Sequence, residues 1–459
     1  MSQICTFPTK NSFFSILEGS KHCCLIVFFF FLPFSQALTI DIGFPLKISE
    51  IALTCLVFLY LIGYTLSLYS FSIDTFPPNS KKIFYIFLFF LLLVVTSFCI
   101  NYNWSYTYPL NYSEYRFGLR INSFLKTIYT FSAACTVLVA SKAFKRNRIL
   151  YVQVICWGAV TSGLYGWYLF IYSLNNWPVL LLPGMDAWPQ HGLFSFGHFI
   201  RCGTFKEGNY AGLFFSLAFV LSLYIRKYIL SLLILLSLIP TVSAMGFASL
   251  ALFIIIFCAF HLIRKKKYIY ILLVLAVVIS APVLLSSNKD IAFLTTKFIP
   301  IDDKQGDHED AHNSRNERLN LISIATDIGM NNPFFGVGLS NFSAHLQEYN
   351  RSVKYNLDDS KTYIVNNVYF EILAELGFPA LILFLSLWVI IVRSALNDST
   401  GLALSGIIII LFYLIAFPTF SVLYVWVFTA FAISFDEKKT FYKRTISNPA
   451  NHRSSTICD

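Results

Sequence analysis

The chain has 459 residues, 56% of them hydrophobic and only 13% charged, with a formal charge of +10. That is more apolar surface than one soluble core can hide, which excludes an ordinary soluble domain and makes a lipid bilayer the expected solvent. In a soluble protein the positive balance would point to nucleic acid, but here the basic residues sit in short loops between apolar runs, so no nucleic-acid partner is expected.

Runs such as 23–38, 83–100, 268–285 and 401–417 are nearly free of charge, and a helix needs roughly 17–25 residues to cross hydrocarbon. Spans at about 22–38, 46–70, 82–100, 121–141, 149–174, 207–226, 228–242, 243–263, 268–286, 365–392, 401–417 and 419–435 predict an all-α polytopic membrane protein of twelve crossings, both ends on one side. Segment 23–37 is short, follows Lys10 and Lys21 and ends in Ser35-Gln36-Ala37, as a cleavable signal peptide would. It is read here as a retained span, and cleavage would not change the orientation of the rest.

The loops alternate in charge. Lys81 and Lys82, Lys142, Lys145, Arg146 and Arg148, Arg226 and Lys227, residues 264–267, Arg393, and Lys438, Lys439, Lys443 and Arg444 fall on one side. By the positive-inside rule that side is cytoplasmic. The opposite side holds the two longest loops, about 175–206 and 287–364, which are expected to face outward. The chain thus divides into 1–206 (five spans and the first long outer loop), 207–286 (spans six to nine), 287–364 (the large outer loop, with short amphipathic helices), 365–435 (spans ten to twelve) and a cytoplasmic tail, 436–459. The ten cysteines are scattered, mostly in apolar runs, with no spacing resembling a zinc site, and read as packing residues. No internal repeat is evident, which weighs against a transporter built from two related halves.

In the first long outer loop, Arg201-Cys202-Gly203-Thr204-Phe205-Lys206-Glu207-Gly208-Asn209 runs directly into the sixth span. An arginine at a membrane entrance can clamp a phosphate with its planar fork of donors, or it can snorkel to lipid headgroups. Asn209 is placed to cap the following helix.

In the second loop, Ser314-Arg315-Asn316-Glu317 has the form of a capping box, and Leu321, Ile324, Ala325 and Ile328 follow at helical spacing. The predicted amphipathic helix stops at Gly329, with Pro333 beyond. Arg315 and Arg318 would then share a face in its first turn, beside backbone amides that attract anions, which suits a diphosphate. The alternative is a solvated helix lying on the membrane. Upstream, Asp302, Asp303, Asp307, His308, Glu309, Asp310 and His312 match no defined ligand spacing, so the segment reads as an acidic loop and no metal is assigned.

The tenth span opens with Asn366-Asn367-Val368-Tyr369-Phe370-Glu371, followed by Glu375, Gly377 and Pro379. Asn367, Glu371 and Glu375 repeat every fourth residue and share one helical face. Carboxylates at this depth are costly unless they face protein, water or a partner, so they are functional candidates. The other reading is a hydrated interfacial helix ahead of Gly377, with the true span beginning afterwards.

Three stretches give the chain its resemblance to the family of O-antigen ligases and O-antigen polymerases. They are Arg201 to Asn209 before a span, Asn332-Pro333-Phe334-Phe335-Gly336-Val337-Gly338, and Asn366 to Gly377. Arg201 with Gly212, and Arg318 with Gly329, also resemble an Arg, ten residues, Gly pattern of the polymerases. The chain departs from the family at Asn366, where the ligases carry a histidine, at Ala244-Met245-Gly246, and at Ala380. The missing histidine favours polymerase over ligase.

The resemblance implies a glycan on undecaprenyl diphosphate as donor and a second lipid-linked repeat as acceptor, at the periplasmic face of the bacterial inner membrane. It implies inverting transfer that is independent of metal or other cofactor. Besides donor, acceptor and the lipid bilayer, a chain-length regulator protein is an admissible partner. Arg201, Arg318 and Glu371 take the catalytic roles, with Arg315, Asn209, Asn366, Asn367 and His345 binding substrate. A ligase acting on lipid A core is the alternative. A flippase for lipid-linked sugars is the third reading, and the shortage of charge within the spans weighs against it.

Overall fold

A computed structural model describes residues 10–41, 45–66, 78–102, 119–186, 189–194, 197–266, 309–349 and 363–435. Helices dominate: α1 (Lys10–Phe30), α2 (Ile48–Thr65), α3 (Pro78–Asn101), α4 (Leu119–Leu174), α5 (Gly208–Tyr224), α6 (Tyr228–Leu236), α7 (Ala244–Arg264), α8 (Glu309–Asn331), α9 (Phe342–Tyr349), α10 (Val368–Ala395), α11 (Leu402–Leu414) and α12 (Leu423–Ile433). Two small antiparallel ribbons join them, β1 (Ile40–Asp41) with β2 (Pro45–Leu46) and β3 (His191–Phe194) with β4 (Gly197–Ile200). The first long outer loop therefore contains a hairpin.

Among the described residues five helical stretches are long and apolar enough to cross a membrane: Ile48–Thr65, Lys82–Asn101, Arg120–Leu174, Ala244–Arg264 and Val368–Ala395. At 55 residues the third is too long for one crossing. It breaks at Asn147, whose backbone leaves helical geometry and whose side-chain Oδ1 accepts a hydrogen bond from the Leu150 amide at 3.2 Å. The break falls in the basic loop expected between the fourth and fifth spans. Helices α11 and α12 have only 13 and 11 residues, about 20 and 17 Å at 1.5 Å per residue. Every residue of α12 is buried, so it sits inside the protein and has no lipid-facing length to match. The expected span 268–286 and tail 436–459 lie outside the described residues.

Aromatic packing joins α3, α10 and α12. Trp388 stacks on Trp426 at 5.8 Å between ring centroids, Phe87 meets Trp426 edge-on at 4.9 Å, and Phe384 lies 5.8 Å from Phe420. Contact area of this kind drives helix association in lipid, where no hydrophobic term separates one apolar helix from another. Basic side chains close one end of the helix layer: Arg146 pairs with Glu18 at 2.7 Å, Arg148 donates to the Ser434 carbonyl at 2.7 Å, and Arg264 donates to the Ser399 carbonyl at 2.6 Å.

The loop helix departs from expectation at both ends. Helix α8 begins at Glu309, upstream of the supposed capping box, so Arg315 and Arg318 lie in its second and third turns, away from the free amides of the helix start. The helix also runs through Gly329 to Asn331. Gly329 serves close packing there, since a Cβ would come within 2.6 Å of Leu373 Cγ on α10. The apolar face is the expected one: Leu321, Ile324, Ala325 and Ile328 are buried together with Val337, Phe342, Val365 and Ala374.

Helix α10 is broken at Gly377, where φ is +81° and ψ 179°. In an unbroken helix the amides of residues 378 and 379 would donate to the carbonyls of 374 and 375. Pro379 has no amide hydrogen, and the Phe378 amide turns away to the Pro333 carbonyl at 2.8 Å. The two freed carbonyls are filled by the loop: the Val337 amide donates to Ala374 at 3.0 Å and the Gly338 amide to Glu375 at 2.9 Å. Ser97 Oγ on α3 adds bonds to the carbonyls of Phe335 at 2.6 Å and Glu375 at 3.3 Å. The segment 332–338 thus replaces the missing rungs of the α10 ladder.

Gly377→Ala forces a Cβ to within 2.6 Å of the Pro333 carbonyl oxygen at a positive φ. A loss of about 1–3 kcal/mol follows, read as a lower melting temperature in detergent. Gly19→Ala, where a Cβ meets nothing within 4 Å, leaves that temperature unchanged or slightly raised.

Candidate active site

Helix α10 starts where Asn367 caps it: the side-chain Oδ1 accepts from the amides of Tyr369 at 3.1 Å and Phe370 at 3.4 Å. That cap sets the rotation of the first two turns and points Glu371 and Glu375 the same way. Both carboxylates meet one ammonium, Lys126 Nζ on α4, at 2.6 Å to Glu371 Oε1 and 2.8 Å to Glu375 Oε2. The carboxylates are almost fully buried, at 3% side-chain exposure each, against 17% for the lysine. One cation between two carboxylates leaves the cluster with a net charge of −1. The second oxygen of Glu371, Oε2, is buried and has no hydrogen-bond partner.

The cluster lies on the wall of a cavity of about 410 Å³ that also presents Tyr129, Tyr210, Ser343, Tyr363 and Thr419. Hydroxyl-bearing and aromatic groups around a charged cluster suit a sugar, which offers both polar edges and apolar faces. Helix α9 contributes Phe342 and Ser343 to this wall. His345, on the same short helix, is buried but is not on the wall.

Of the residues singled out from sequence, Glu371 and Glu375 line the cavity, whereas Arg201, Asn209, Arg318, His345, Asn366 and Asn367 are not on its wall. Asn367 is buried and occupied by capping, while Asn366 is half-buried at the bend before α10. Asn209 does not cap α5. That helix begins one residue earlier at Gly208, with Glu207 in the cap position, and Asn209 Oδ1 accepts instead from Ser243 Oγ at 3.1 Å. Arg318 is half-buried on α8, and the side chain of Arg315 and the acidic residues 302–308 lie outside the described residues.

Arg201 is buried at 8% exposure beside the first turn of α5. Its backbone amide donates to the Gln190 carbonyl at 3.1 Å, and its Nε to the Thr241 carbonyl at 3.2 Å. A Cβ on Gly208 would lie 2.7 Å from that Nε, so glycine is what lets the guanidinium approach. Among the described residues no carboxylate forms an ion pair with Arg201. Burial pushes its pKa down, Glu207 offsets part of the shift, and an arginine remains charged throughout. Two residues beyond Gly208, Tyr210 reaches the cavity wall. Arg201 therefore stands behind the α5 turn that forms one side of the site.

Lys126 was missed from sequence. The available signal was a lone ammonium five residues inside the apolar run 121–141, where an ionisable group needs a partner.

Lys126→Met strands two buried carboxylates and should cost about 3–5 kcal/mol, seen as a fall in detergent melting temperature. Adding Glu371→Gln and Glu375→Gln to the same chain should recover much of that loss, because neutral amides no longer need a cation. Simple additivity of the three changes would show that the cluster does not act as a unit.

Residues 229–385 match the family model described as O-antigen ligase. The matched stretch runs from α6 into α10 and includes Arg318, the segment 332–338, Glu371 and Glu375, while Arg201 and Lys126 lie ahead of it. No curated protein matches the chain. The match and the long apolar helices together indicate a bacterial membrane protein.

Proposed function

We propose that this chain, whose residues 229–385 match the O-antigen ligase family model, is a membrane enzyme of glycan transfer in lipopolysaccharide synthesis, and specifically the polymerase. In this reading it extends a surface polysaccharide on the periplasmic face of the inner membrane, using an undecaprenyl-diphosphate-linked glycan as donor and another lipid-linked repeat as acceptor.

The observation that carries the proposal is the Lys126–Glu371–Glu375 cluster on a sugar-sized cavity, with one oxygen of Glu371 left unpaired. Lys126 holds Glu371 by Oε1, which leaves Oε2 to accept the hydrogen of an acceptor hydroxyl. The acceptor oxygen attacks the anomeric carbon from the face opposite the leaving group, a new glycosidic bond forms, and the bond from that carbon to the diphosphate oxygen breaks. The hydroxyl proton passes to Glu371, and the diphosphate leaves as an anion on its lipid. Charge developing on the diphosphate is the main burden of the transition state, and preorganised arginines supply what it needs. Arg201 and Arg318 take that role, with Arg315 as a further donor. A carboxylate acting as base does the work that a histidine at position 366 would otherwise do. Asn366 has no basic nitrogen.

The family description itself favours a second reading, ligation to lipid A core. The two separate in a deletion strain: loss of the polymerase leaves a single repeat on the core, and loss of the ligase leaves none. Transport is distinguished by incubating purified protein with lipid-linked repeats in detergent, since chain growth needs no sealed compartment.

In that assay Glu371→Gln should lower chain growth by about 10²–10⁴-fold with the protein still present at parental levels. Arg201→Ala and Arg318→Ala should each abolish long-chain polysaccharide in the complemented strain. Normal ladders from the two arginine variants would overturn the diphosphate assignment, and a fully active Glu371→Gln would overturn the base.

A further inference from the structure

A second cavity, of about 400 Å³, lies at the other end of the helix layer between α1, α2 and the middle of α4. Lys126 and Lys142 are sixteen residues apart on the unbroken part of α4, about 24 Å along the axis, so the two cavities are separated by most of the apolar layer. The charge of this one is opposite. Lys21, Lys142, Lys145 and Arg146 line it, and Glu18 is the carboxylate on its wall among the described residues.

The arrangement is built, and differs from a loose set of surface lysines. Lys21 is 3% exposed at its base, and its Nζ lies 3.3 Å from Glu18 and 4.3 Å from the Tyr60 ring centroid. Arg146 shares Glu18 from the rim, at 2.7 Å, and Lys142 Nζ stands 5.0 Å from the same Tyr60 ring. One carboxylate is thus divided between a buried ammonium and a guanidinium, and two lysines converge on one ring. Four cations against one carboxylate leave a formal +3 around a concavity of ligand size. Ammonium and guanidinium donors at this density match the oxygens of a phosphoryl group, which can take the fork of Arg146 and the point charges of the lysines together.

We propose that this cavity binds a phosphoryl anion at the face of the membrane opposite the glycan-transfer site, supplied by the headgroup of an anionic phospholipid or by free phosphate. Lys21 forms the floor of the site, and Lys142, Lys145 and Arg146 close over the bound group.

The test is native mass spectrometry of the full-length, delipidated protein titrated with phosphatidylglycerol or phosphatidylcholine, with and without millimolar inorganic phosphate. The parent should retain phosphatidylglycerol at least about fivefold over phosphatidylcholine, because four clustered cations reward the net negative headgroup. Lys142→Gln/Arg146→Gln, at two exposed positions, should lose that preference with the detergent melting temperature unchanged, and Lys145→Gln should weaken it. Displacement by inorganic phosphate would identify free phosphate as a sufficient ligand, and persistence of the lipid would identify the headgroup. An unchanged preference in the double variant would overturn the site. So would an equal loss in Lys265→Gln/Lys266→Gln, which removes two exposed charges elsewhere.

Discussion

A backbone carbonyl inside an apolar layer has no water to turn to, and the interruption of α10 at Gly377 creates two of them. The segment 332–338 is held against α10 because it supplies their donors, and Ser97 adds a third contact from α3. This one requirement joins the large outer loop to a membrane helix and fixes the height at which α8 and α9 sit. It also explains why glycine and proline cluster here. Gly377 adopts a backbone that a side chain would strain, and Pro379 cannot restore the rung it interrupts.

The ion cluster depends on that anchoring. Two carboxylates four residues apart would repel each other and drive the first turns of α10 toward water if nothing met them. Lys126 meets both, and burial means that removing the lysine alone strands two carboxylates. Such a cluster is an inefficient way to stabilise helix packing, because an apolar trio of similar size would avoid the desolvation cost. It lies on a cavity with hydroxyl and aromatic walls, and its two carboxylates fall within the stretch that matches the family model. The Oε2 of Glu371 is buried without a hydrogen-bond partner, a cost that a native fold rarely accepts and the reason it is proposed as the base.

The two ends of the helix layer therefore differ in kind. One holds a cavity with a net negative cluster and a buried arginine behind its wall; the other holds a positive concavity around Lys21. An ordinary distribution of basic loops accounts for the sign at each end. It does not account for a buried lysine and an exposed arginine sharing a single glutamate, which is a property of how α1, α2 and α4 pack.

Local pattern determined the helices, their apolar character and the face shared by Glu371 and Glu375, since hydropathy and a four-residue repeat are visible in a few turns of chain. It also determined the apolar face of α8 and the break in the chain between the two halves of α4. Tertiary structure alone decided which partner those carboxylates meet, because Lys126 is 245 residues from Glu371 and no periodicity links them. It likewise decided where α5 and α8 begin and end. A capping side chain such as Asn209 can bond to another group, and Gly329 can serve helix contact as readily as a helix stop. The motif at 332–338 was legible as a likeness, but its work, donating amides to a broken helix, became visible only once α10 stood beside it. Sequence carries the face each helix offers; the identity of what fills that face is set by contacts between elements far apart in the chain.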